Sequence, residues 1–146
     1  KWKIPYDKKP NWINDPNSWN QLLENIKSVE DLHRIHIMGG EPTVNKKFYK
    51  FLDWLIDNKL THVSLSFVSN GTRLDKSLID DLKKFRHTDI EISVEAVGAT
   101  NDYVRQGGNT TQIWENVNFA AKSQTDNLSV VLRSVPQLLT INTYHE

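Results

Sequence analysis

No cysteine occurs in the 146 residues, which excludes disulfides and thiolate metal sites within them. A surplus of one charge is missing as well: 18 Lys and Arg balance 18 Asp and Glu, so the basic footprint that a phosphate backbone recruits is absent. Nucleic acid is therefore not an expected partner. Long hydrophobic runs are lacking too. No stretch approaches the roughly 20 apolar residues that span a bilayer, and the opening KWKIPYDKKP has no signal-peptide core. No membrane partner is expected, and the chain reads as cytoplasmic. It opens on Lys1 instead of methionine and stops at Tyr144-His145-Glu146 without a closing turn, which reads as the central part of a longer protein.

The residues that are present suffice for a core. Hydrophobic residues make up 38% of the chain and aromatics 10%, at a length that suits a single domain over 1–146. After an irregular opening to about Pro16, Asn17 or Ser18 is placed to cap a helix through Ser28, with Trp19, Leu22, Leu23 and Ile26 as its stripe. A strand is predicted over Arg34–Met38 and a helix over Thr43–Asn58, then a strand over His62–Val68 and a helix over Asp75–Phe85. The next strand spans Asp89–Val94, Asn101–Gly108 is an irregular or short helical excursion, and Thr111–Lys122 is helical with Ile113, Val117 and Ala121 turned inward. A fourth strand covers Leu128–Val135.

Strands alternating with helices in this way predict an α/β fold with right-handed crossovers and a parallel sheet. Periodicity fits an arc of a (β/α) barrel and an open doubly wound sheet equally well. The strand faces are unusual. Ile90, Ile92 and Val94 alternate with Glu91, Ser93 and Glu95, Val63, Leu65 and Phe67 alternate with Ser64 and Ser66, and Arg133 puts a charge into the last strand. Parallel strands are usually apolar on both faces, and burying such groups unpaired would cost about 1–3 kcal/mol each. A wet or liganded face is the economical reading. Ligands in such folds sit at the carboxyl ends of strands, where this chain places Gly39-Gly40-Glu41, Asn70-Gly71, Ser93 and Glu95. Two glycines let backbone approach a ligand and permit positive φ. Glu41 adds a negative charge, which suits an ammonium group better than a phosphate, and Pro42 stiffens the exit into the helix.

Three motifs in order carry a resemblance: IHIMGGEPTV over residues 35–44, Phe67-Val68-Ser69-Asn70-Gly71-Thr72, and Ile92-Ser93-Val94-Glu95 with Asn101-Asp102-Tyr103-Val104-Arg105 behind it. Together they resemble the GGEP, TNG and strand-four segments of the radical S-adenosylmethionine (radical SAM) superfamily, and the likeness covers nearly the whole chain. The resemblance implies a partial (β/α) barrel holding S-adenosylmethionine and a 4Fe-4S cluster, whose reductive chemistry yields a 5′-deoxyadenosyl radical that abstracts hydrogen from substrate. It implies that Gly39, Gly40 and Glu41 receive the methionine ammonium, that Ser93 and Glu95 face the ribose or methionyl moiety, that Arg105 pairs with the methionine carboxylate, and that Asn70 orients its turn or approaches the ligand. The family more often has Asp where Glu95 stands. The cluster ligands, CxxxCxxC in the family, are expected upstream of Lys1, so no catalytic or metal-ligating residue is assigned here. Lys1-Trp2-Lys3 resembles the segment just behind that motif in members with a twitch domain. A peptide substrate and a reductant such as flavodoxin or ferredoxin are the partners implied. The alternative is a noncatalytic α/β small-molecule-binding module. His33 and His36 read as sheet residues without ligand spacing, and Arg133 either contacts cofactor or substrate or balances Glu91.

Overall fold

The structure is a computed structural model that describes residues 12–143; Lys1-Trp2-Lys3 and most of the irregular opening segment lie outside the described residues. The chain forms two compact units, residues 1–32 and 33–146. In the first, a 3-10 turn at Trp12–Asn14 precedes helix α1, Pro16–Lys27, none of whose residues is buried. The cap is Asp15, not Asn17 or Ser18: its carboxylate accepts from the Ser18 N–H at 2.9 Å, and Pro16 occupies the first helical position, where its missing N–H is not needed.

The second unit carries four parallel strands in the order β1-β2-β3-β4: β1 Arg34–Ile37, β2 Ser64–Ser69, β3 His87–Ser93 and β4 Leu128–Arg133. Between them run α2, Lys46–Asp57; α3, Lys76–Leu82; the short α4, Gly98–Val104; and α5, Thr110–Lys122. The α/β alternation is thus present, and it is consistent with a partial (β/α) barrel. The predicted helix over Thr43–Asn58 is broken. Pro42–Val44 forms a 3-10 turn, and α2 restarts after Asn45, whose side chain accepts from the Lys47 N–H at 2.9 Å and so competes with helical continuation. Asp75 and Asn109 cap α3 and α5 in the same way.

One face of the sheet and the helices form the core. Leu65, Phe67, Ile90, Ile92 and Leu128 are at most 1% exposed, as are Leu52, Leu55, Leu78, Ile79 and Leu82 from α2 and α3. Each such side chain contributes about 1.5–3 kcal/mol relative to leaving it in water. The ring of Phe48 in α2 lies 5.1 Å from that of Phe67 in β2. On α5 the inward positions are Ile113, Val117 and Ala120, with Ala121 only half-buried, because the helical repeat selects i, i+4 and i+7. The opposite face carries the residues between these: Arg34 and His36 on β1, Ser64 and Ser66 on β2, His87, Asp89, Glu91 and Ser93 on β3. All of them except Ser66 are half-buried or exposed.

Candidate functional site

The strand ends are built from the loops outward. β1 stops at Ile37, and after Met38 the chain turns through Gly39 and Gly40 with φ of +98° and +59°. A Cβ at either position would meet no heavy atom within 4 Å. The pair is therefore bare backbone bordering open space, in the positive-φ conformation that glycine permits. Glu41 then returns to extended geometry and caps the 3-10 turn.

Its carboxylate is fully engaged on one oxygen. Oε1 accepts from the Thr43 N–H at 3.1 Å, the Thr43 hydroxyl at 2.6 Å and the Ser69 hydroxyl at 2.9 Å, while Oε2 accepts from the Asn70 N–H at 2.6 Å. Glu41 thus ties the exit of β1 to the end of β2, and Oε2 keeps unused acceptor capacity. Asn70 spends its side-chain oxygen on the turn, accepting from Thr72 N–H and hydroxyl at 3.0 and 2.6 Å.

At the end of β3, the Arg105 Nη1 donates to the Ser93 carbonyl, and its Nη2 lies 4.0 Å from Glu95 Oε1. Glu95 Oε2 accepts from the Val135 N–H at 3.0 Å, which links it to the segment after β4. Because Ser69 pairs with Ile92 in the ladder, the Glu41 anchor and Ser93 sit on neighbouring strand ends, roughly 5–10 Å apart at ordinary strand spacing. The structure therefore places Gly39, Gly40, Glu41, Asn70, Ser93, Glu95 and Arg105 at or behind the carboxyl ends of β1, β2 and β3.

The sequence motif behind β3 included Asn101 and Asp102 but gave them no role; they hold these strand ends in place. Asn101, 1% exposed, accepts from the Glu95 and Ala96 N–H groups at 3.0 and 3.3 Å and donates to the Thr110 hydroxyl at 2.9 Å. Asp102 accepts from the Thr110 N–H and hydroxyl at 2.8 and 2.6 Å. The Asn101-Asp102 dipeptide ahead of a Thr-Thr helix start was the available signal.

Along the polar face, each carboxylate of β3 has a guanidinium. Arg133 Nη1 is 2.7 Å from Glu91 Oε2, an ion pair out of hydrogen-bond alignment; of the two readings of Arg133, the balance of Glu91 is the one observed. Arg34 Nη2 lies 3.8 Å from Asp89, which also accepts from Ser129 Oγ and contacts His87 Nε2 at 2.9 Å. Burial acts to raise the Asp89 pKa, but the Ser129 and His87 hydrogen bonds and the His87 and Arg34 charges outweigh it, so the carboxyl titrates below its ordinary value. The resulting stabilisation is present above the unfolded-state pKa and is lost as pH falls through the lower folded value. In a carboxyl-carbon NMR titration, Ser129→Ala is expected to move the Asp89 midpoint upward; an unmoved midpoint would remove Ser129 from the account.

A family model described as the radical SAM superfamily matches residues 4–137. The chain belongs to the radical SAM superfamily. Among curated relatives, the mycofactocin maturase MftC of Mycolicibacterium smegmatis (strain ATCC 700084 / mc(2)155) is 31% identical over 88 residues, 60% of this chain and 21% of that protein. The mycofactocin maturase MftC of Mycobacterium ulcerans (strain Agy99) is 33% identical over 88 residues, 60% of this chain and 23% of that protein. The matched stretch thus spans less than a quarter of the length of these relatives. Radical SAM proteins use S-adenosylmethionine and a 4Fe-4S cluster. The donor set here suits the first: open glycine backbone, a carboxylate with a spare acceptor, and a guanidinium, matching an ammonium and a carboxylate. It does not suit the second, since the 146 residues contain no thiolate ligand. Among the described residues, no helix is long and apolar enough to cross a membrane, and no group of three or more His, Asp or Glu is placed to hold a metal ion.

Proposed function

We propose that this chain is the S-adenosylmethionine-holding part of a radical SAM enzyme that modifies a peptide, of the kind that carries a twitch domain. The observation that supports it most is the alignment of Gly39-Gly40-Glu41, Ser69-Asn70 and Ser93-Arg105 on adjacent strand ends through hydrogen bonds of Glu41 and Arg105. In this reading the Gly39 and Gly40 backbone and Glu41 Oε2 receive the methionine ammonium. Arg105 takes the methionine carboxylate through donors that Ser93 does not use, a planar fork suited to that partner. Ser93 and Glu95 border the ribose or the methionyl chain, and Asn70 shapes the turn beside them. When bound, S-adenosylmethionine would supply the radical chemistry of the family; the cluster would need thiolates from outside these residues, and flavodoxin or ferredoxin is the class of electron donor. The maturase name of the matched relatives fits a substrate processed from a precursor.

The test uses the full-length protein. Arg105→Gln is expected to raise the Kd for S-adenosylmethionine about tenfold, the scale of a lost charge-assisted pair, and to lower 5′-deoxyadenosine formation under dithionite. An unchanged Kd would refute the assignment of Arg105. Absence of 5′-deoxyadenosine from the reconstituted wild type would favour the noncatalytic binding module.

A further inference from the structure

The polar face has a second feature at the opposite end of the strands. His33, Arg34, Ser64, Arg86, His87 and Asp89 line a depression of about 520 Å³, within the range of about 300–1,000 Å³ common for ligand sites. Arg34, Ser64 and His87 are the first residues of β1, β2 and β3, so the depression lies at the amino ends, far from Glu41 and Arg105.

Its fixed charge is positive, with two guanidinium groups against one carboxylate. Asp89 is already occupied by Ser129, His87 and Arg34. Arg34 uses only Nη2, toward Ser66 Oγ at 3.2 Å and Asp89, which leaves further N–H donors. The Arg86 guanidinium has no hydrogen bond or ion pair among the described residues. A protein that places a spare guanidinium beside a half-used one over a hollow has the donor set for an oxyanion.

We propose that this depression anchors an acidic side chain of the peptide substrate, its carboxylate docking on Arg34 and Arg86. The inference rests on the peptide reading of the function. Two observations favour a peptide carboxylate over a free phosphate. The ionised Asp89 in the wall repels a compact dianion more than a single carboxylate. The polar face also runs without interruption along β3 from His87 to Ser93, about 20 Å at ordinary strand rise. A chain anchored below and reacting near Arg105 would therefore place its acidic residue about six extended positions from the residue that reacts.

The experiment titrates the full-length protein, without reductant, with acetylated and amidated tetraglutamate, with the tetraglutamine counterpart, and with inorganic phosphate. Tetraglutamate is expected to bind, more weakly as salt rises, and tetraglutamine not to bind. Arg86→Gln, at an exposed side chain with no partner to lose, should weaken tetraglutamate binding about fivefold. Asp89→Asn, which removes the carboxylate from the wall, should tighten it. Equal binding of the two peptides, wild-type affinity in Arg86→Gln, or binding of phosphate in place of tetraglutamate would each overturn the proposal. None of these readouts involves 5′-deoxyadenosine, so the anchor can fail while the radical reading stands, and the reverse.

Discussion

Glu41→Ala is expected to lower stability by about 2–4 kcal/mol and to abolish cofactor binding together. The stability loss comes from the four hydrogen bonds the carboxylate accepts. Thr43 and Ser69 are almost fully buried, so their donors cannot all turn to water, and each orphaned group costs about 1–3 kcal/mol before relaxation. Loss of the cap on the 3-10 turn adds to this. Glu41→Gln separates the two roles. Its amide retains one oxygen but turns an N–H₂ toward a donor, Asn70 N–H or the Thr43 and Ser69 pair, for a smaller loss of about 1–2 kcal/mol. Urea unfolding gives the stabilities, and S-adenosylmethionine titration at a temperature where all three proteins are folded gives the affinities. If the glutamine variant binds the cofactor as well as wild type, Glu41 is a structural tie and no ammonium partner.

Gly71→Ala should destabilise by a similar amount for a different reason. Gly71 has φ of +74°, and a Cβ there would stand 2.9 Å from Ile92 Cγ2 and 3.2 Å from Ile113 Cγ2. The left-handed backbone costs a non-glycine residue about 1–2 kcal/mol, and forcing the core apart adds about 1–3 kcal/mol. The sum, about 2–4 kcal/mol after relaxation, is large against a typical stability of about 5–15 kcal/mol. Gly40→Ala is the control. Its φ of +59° carries the backbone cost, but no heavy atom lies within 4 Å of the added carbon, so unfolding should register about 1–2 kcal/mol. Equal losses in the two variants would mean that Ile92 and Ile113 yield freely and that packing at the β2 exit is loose.

The element boundaries show where local reading reaches its limit. Periodicity places the start of β3 at Asp89, but the strand starts at His87, because His87 pairs with Ser64 of β2, and Thr88 pairs with both Leu65 of β2 and Leu128 of β4. The polar sequence His87-Thr88-Asp89 does not look like buried strand; only its neighbours make it one. β4 ends at Arg133, two residues short of the expected Val135. It has a partner on one side only, and Val131 and Leu132 are 46% and 48% exposed, so nothing among the described residues extends the ladder.

The candidate site was legible to a different degree at each residue. Gly39 and Gly40 were readable because their backbone requirement is a property of the residue itself. The ties of Glu41 were not, since Ser69 and Asn70 lie 28 and 29 positions away and no window of sequence contains both ends. The Glu91–Arg133 pair was legible only as one of two readings, because its partners sit on different strands and register alone brings them to 2.7 Å.

By itself, the sequence determined the alternation of strands and helices, the apolar face that becomes the core, and the order of the motifs that mark the superfamily. These arise from side-chain periods of about 2 and 3.6 residues, which are local properties of the backbone. Tertiary structure alone decided which charges pair, which carboxylate ties two strand ends, and that Arg34 and Arg86 overlook a hollow at the amino ends. Those outcomes depend on strand register, which brings residues from distant segments to hydrogen-bond distance only after the sheet has formed.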